Sequence, residues 1–71
     1  MEHLVSTTNS VRLSFLLALL QGAGIKAHIF DANISSLEAG IGALLRRIMV
    51  PAKRLLAAKT LLKDANEFYD D

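Results

Sequence analysis

The chain has 71 residues, 52% of them hydrophobic but only 6% aromatic, with a formal net charge of +1 and no cysteine. That length allows one domain with one aliphatic core; the apolar content excludes a disordered chain, and the missing thiols exclude disulfides and thiol catalysis. A core this small hides only about 60% of the unfolded surface, so the surplus apolar side chains point to self-association or a protein partner.

In chain order, residues 4–7 (Leu-Val-Ser-Thr) are a short β-prone stretch. Asn9 is a good N-cap, and the helix it opens is expected to run to about Gln21. Leu13, Leu16, Leu17 and Leu20 share one stripe at helical spacing, enough to cover a sheet. Val11, Phe15 and Leu19 lie on the far side, where only Ser10, Ser14 and Gln21 are polar. A helix apolar nearly all round is buried on two sides. Phe15 and Leu19 are therefore the expected self-association contacts, the alternative being that the chain termini wrap over them. The run at 13–20 followed by Gly22-Ala23-Gly24 looks like a secretory signal, but a long polar segment with Glu2 and Arg12 precedes it. It is also far shorter than the ~20 apolar residues of a membrane span. A cytoplasmic protein with no membrane association is the expectation.

Gly22 and Gly24 supply a left-handed stop, after which Ile25 re-enters the core. Residues 26–30 alternate, Ala27 and Ile29 against His28 and Phe30, as a half-buried strand. The stretch 31–46 is too long for a tight hairpin, and loops of that length are often functional. Within it Ser35-Ser36-Leu37-Glu38 fits a capping box that starts a helical turn, and Gly40 and Gly42 allow backbone conformations closed to other residues. Residues 47–50 alternate again, Ile48 and Val50 against Arg47 and Met49, until Pro51 ends the strand. A helix over about 52–66 follows, with Leu55, Ala58, Leu62 and Ala65 inward and Lys53, Lys59 and Lys63 outward. Six basic residues from Arg46 to Lys63 have no acid among them, whereas Asp64, Glu67, Asp70 and Asp71 close the chain.

Strand, helix, strand, strand, helix is the order of a ferredoxin-like split βαββα unit of the α+β class. It implies a three-stranded antiparallel sheet with two helices on one face and a fourth strand missing or rudimentary, all within a single domain over 1–71. Such a sheet leaves the edge at residues 4–7 open to another strand, which adds Leu4 to the candidate self-association residues. Either the terminal Phe68-Tyr69 segment (66–71) folds back on that edge as a fourth strand or a second chain covers it. Ending in Asp70-Asp71 the tail is a poor strand end, which tips the expectation towards a second chain.

No catalytic constellation is visible. No serine stands in a nucleophile-elbow context, and a metal site needs three or four convergent ligands. His3 and His28 could become neighbours across the sheet, but two histidines without cysteine read as surface or structural, and neither metal nor cofactor is expected. Asp31 and Glu38 read as a strand-end cap and the capping-box partner of Ser35 rather than an acid–base pair. An anion site is better supported. Backbone N–H groups at Gly40 and Gly42, with Arg46 or Arg47 forking onto a phosphate or carboxylate, make Asp31, Asn33, Ser35, Ser36, Glu38, Gly40, Gly42, Arg46 and Arg47 the candidate ligand or partner loop. Alternation puts the two arginines on opposite faces, and the structural alternative pairs one of them with Asp31 or Glu38. Nucleic acid is disfavoured, because Phe30 is the only aromatic on a predicted strand; what remains is weak, unspecific attraction through the basic 46–63 segment.

The run Asp31-Ala-Asn-Ile-Ser-Ser-Leu-Glu-Ala-Gly-Ile-Gly, followed by Arg46-Arg47-Ile-Met-Val-Pro51, resembles the putative prokaryotic signal-transducing protein family. The Thr8-Asn9 opening and the Ala23-Gly24-Ile25 helix exit look similar too, so the likeness spans nearly the whole chain. Departures fall at Ala39 and Leu45, where that family usually has Gly and Pro, and at Lys53-Arg54, where it is often acidic. The resemblance implies a bacterial ferredoxin-like domain, grouped loosely with nitrogen-regulatory PII-type proteins, with a regulatory or binding role. The resulting expectation is a non-enzymatic interaction module. It would act in signal transduction through a protein partner, a homodimer included, with a small anionic ligand at the 31–47 loop as the alternative.

Overall fold

The computed structural model describes residues 1–32 and 45–71. Among these residues there are five principal elements: β1 (Glu2–Thr7), α1 (Ser10–Gly22), β2 (His28–Ala32), β3 (Leu45–Val50) and α2 (Leu55–Asp64), with a 3₁₀ turn at Ala52–Arg54 leading into α2. The sheet order is β1-β3-β2, antiparallel at both seams, so β1 and β2 run parallel with β3 between them. This is the expected α+β, split βαββα arrangement. The strands begin or end two residues away from the expected limits at several points, and the last helix is shorter than expected because its first turn is 3₁₀.

Local chemistry explains the elements. Asn9 caps α1, its Oδ1 accepting from the N–H groups of Val11 and Arg12 at 3.0 and 3.1 Å. At the other end the Ile25 N–H bonds the Leu20 carbonyl and the Gly24 N–H bonds the Gln21 carbonyl, a Schellman closure. Of the two glycines read as the stop, Gly24 takes the left-handed conformation, at φ 75°. The motif recurs after α2: Glu67 bonds Leu62 and Asn66 bonds Lys63, with Asn66 left-handed at φ 59°. Pro51 ends β3 as expected, with an extended backbone that leads into the 3₁₀ turn.

Leu13, Leu16 and Leu20 of α1 and Ala58 and Leu62 of α2 close on Leu4, Val5, Ile48 and Val50 of the sheet, with Ile25 at the margin. A bulge between His3 and Val5 makes Leu4 the extra residue of β1, which lets Leu4 and Val5 both enter the core although they are adjacent. The helices stop short of β2. Ile29 and Ile48 are directly paired and share a face, yet Ile48 is fully buried and Ile29 is 42% exposed. The expectation that Ile29 lines the core is corrected accordingly, since the helices cover the half of the sheet made by β1 and β3.

Candidate functional site

The edge of β1 is where a ferredoxin-like unit would place its fourth strand, and the chain's own terminus occupies it. The Asp71 N–H bonds the Ser6 carbonyl at 3.0 Å, and the Ser6 N–H donates to Asp70 Oδ1 at 2.8 Å. One main-chain bond and one carboxylate stand in for a strand. Of the two covers expected for this edge, the folded-back terminus is the one present, through these two bonds rather than as a strand. The acids that make the tail a poor strand make it a good ligand for a cation, and the cation is Arg12.

Arg12 is the one charged residue of α1, and it is buried, with 8% of its surface exposed. Its Nε donates to Glu67 Oε1 and its Nη1 to Asp71 Oδ1, both at 2.9 Å. Nη2 donates to the main-chain oxygens of Glu67 and Tyr69 at 2.6 and 2.8 Å, and the guanidinium stacks on the Tyr69 ring, 3.9 Å from its centroid. Burial works against the Arg12 cation, but the bonds to Glu67 and Asp71 outweigh it, and the pKa is raised. The Asp71 carboxyl is held below its ordinary range, chiefly by a hydrogen bond from the Thr7 hydroxyl and then by Arg12. Thr7 is itself buried and also accepts the Asn9 N–H at 3.0 Å, so helix start, sheet edge and terminus meet at one polar joint. Sequence reasoning missed this joint. The usable signal was a lone Arg in an apolar helix together with an acidic terminus, but nothing local ties positions 55 to 59 residues apart.

The residues proposed from sequence are placed as follows. Asn33, Ser35, Ser36, Glu38, Gly40 and Gly42, with the capping box, lie outside the described residues. The β2–β3 register sets Asp31 opposite Arg46 and Phe30 opposite Arg47. Arg46 lies on the same side as the buried Ile48 and is half-buried, whereas Arg47 projects from the open face and is exposed. The two arginines therefore do lie on opposite faces. Of the three self-association candidates, Leu4 is buried in the core and Leu19 is half-buried and packed against it. Phe15 stays 49% exposed beside Val11, which is 78% exposed. Because Arg12 is drawn into the tail joint, the outer face of α1 presents Ser10, Val11, Ser14, Phe15, Ala18 and Gln21 without a charge.

Among the described residues no three His, Cys, Asp or Glu side chains gather in a way that could hold a metal ion, and no helix is long and apolar enough to cross a membrane. A family model described as putative prokaryotic signal transducing protein matches residues 1–66. No curated protein and no solved structure matches the chain.

Proposed function

From the premise that this chain belongs to the putative prokaryotic signal transducing protein family, we propose that it is a non-enzymatic interaction module whose outer α1 face docks protein. The observation that carries the reading is the uncharged apolar stripe of Val11, Phe15 and Ala18 on a helix whose single charge is turned inward. Monomers normally clothe such a face in charge, and an apolar strip left bare marks a contact surface. The occupant that fits best is a second copy. A two-fold contact brings the same face against itself, and a face without charge meets no repulsion there. Ser14 and Ala18 are small enough to let two helices approach closely around the paired Phe15 rings, which bury apolar area worth about 25 cal/mol per Å².

Sedimentation equilibrium from low to high micromolar concentration tests this. The expected result is a reversible dimer whose dissociation constant rises about tenfold or more in Phe15→Glu, because a carboxylate would then be desolvated at the contact. A chain that stays strictly monomeric at high micromolar concentration overturns the reading, as does a dimer that Phe15→Glu leaves unchanged.

A further inference from the structure

Met49 of β3 stands between two histidines. The β1–β3 register sets His3 opposite Met49, and the β2–β3 register sets His28 opposite the same residue. Directly opposed residues of antiparallel strands project to the same side, with Cβ atoms about 4.5–5.5 Å apart. Ile48 and Val50 alternate with Met49 and point into the core, so the three side chains form a row across the face the helices leave bare. His3 and His28 are exposed there, with Met49 half-buried between them. We propose that this imidazole–thioether–imidazole row is a binding site for a cuprous ion.

The donor set selects the ion. Two neutral imidazoles and a thioether are soft ligands that suit Cu(I), while calcium and magnesium need oxygen donors and zinc prefers thiolate, imidazole or carboxylate in sets of three or four. No such set exists among the described residues. Arg47 occupies the next position of the same face, and its charge repels a divalent ion about twice as strongly as a monovalent one.

Second-layer contacts favour the same assignment. His3 Nε2 lies 2.8 Å from Ser6 Oγ. In the tautomer that donates the Nε2 proton to Ser6, Nδ1 carries the free lone pair, which is how ligating histidines are generally oriented. In a regular strand His3 and Ser6 would point to opposite faces; the bulge at Leu4 brings them to the same one. Ser6 is in turn held at both backbone groups by the tail, through Asp70 and Asp71. The ring is thus positioned by a residue that the Arg12 joint keeps in place.

The test is an anaerobic titration of the full chain with Cu(I) against bicinchoninate, followed by nuclear magnetic resonance of the methionine methyl and histidine ring signals. One equivalent should be retained, and the signals of Met49, His3 and His28 should move while the Met1 methyl stays in place. Met49→Leu and His28→Gln alter exposed or half-exposed positions and should keep the far-ultraviolet dichroism of the parent. Each should weaken retention about tenfold or more, and Ser6→Ala should weaken it by a smaller factor. Loss of all the copper to the chelator would overturn the proposal. So would movement of the Met1 methyl in place of Met49, or a Met49→Leu variant that retains the ion as the parent does. The methyl shifts of the parent chain decide the matter even if a variant fails to fold.

Discussion

The two edges of this small sheet are finished in opposite ways. At β1 the last four residues of the strand are buried, and both backbone groups of Ser6 are bonded to the terminus. At β2 the side chains on both faces stay in the open, Ile29 at 42% and Phe30 at 46% exposure. Among the described residues neither edge is closed by a regular strand. The difference is that α1 delivers a guanidinium to one end of β1 and the chain ends in acids, so a polar joint does what a fourth strand would do. The lesson is that an edge can be closed by a tail that one residue's four hydrogen bonds hold in place, provided every partner is satisfied. Among the described residues no buried side-chain polar atom lacks a partner.

The largest break in this comparison should come from Arg12→Leu. It removes the centre of the joint while leaving the Glu67 and Asp71 carboxylates facing it, at a cost of about 2–4 kcal/mol. Urea unfolding should show a lowered midpoint, and native-state hydrogen exchange should show the Ser6 amide opening to solvent. A loss below about 0.5 kcal/mol would mean that the tail is only loosely attached. The same variant sharpens the account in acid. Asp71 has a folded pKa below its ordinary value of 3.8, so its contribution is complete above that value and is lost as pH falls through the lower folded one. Part of that loss comes from Arg12, so the acid side of the stability profile should be shallower in Arg12→Leu than in the parent.

A smaller effect is expected at the turns that aim the two edges. Gly24 directs the chain towards β2 and Asn66 directs the tail towards β1, both with positive φ. Gly24→Ala should cost about 1 kcal/mol through backbone strain alone, because an added Cβ at that position meets nothing within 4 Å. Asn66→Ala should cost a similar amount, and Asn66→Gly should be neutral or slightly stabilising. The opposite ranking at 66 would show that the asparagine side chain, rather than its backbone, holds the turn. Thermal midpoints of the three variants decide this.

The smallest effect belongs to the β2 edge. Ile29→Thr and Phe30→Ser change side chains that are already substantially in water, and each should move stability by less than about 0.5 kcal/mol. A loss of 2 kcal/mol at either position would show that the β2 half of the sheet is packed as firmly as the β1 half, and the contrast would fail.

Local signals were legible because they act over a few residues. The Asn9 cap, the Gly24-Ile25 exit, the alternation at Ile48 and Val50 and the stop at Pro51 each depend on neighbours within one turn or one strand, and each is present. The element order then restricted the topology to the split βαββα unit that is found. Ile29 was misjudged because alternation reports which side a residue faces, not whether a helix reaches far enough to cover that side. Of the loop singled out over 31–46, residues 31–32 and 45–46 belong to paired strands, because the register extends further than the alternation showed, and 33–44 lie outside the described residues.

By itself, then, the sequence determined the class, the order of the elements and most of the core, since hydrophobic spacing and capping chemistry are short-range properties. Tertiary structure alone decided that Arg12 meets Glu67, Tyr69 and Asp71, that the bulge at Leu4 brings His3 and Ser6 to one face, and that Met49 falls between His3 and His28. Each of these depends on register, or on where a distant segment docks. Those are set by packing over the whole core, and a single residue's neighbours in the chain carry no record of them.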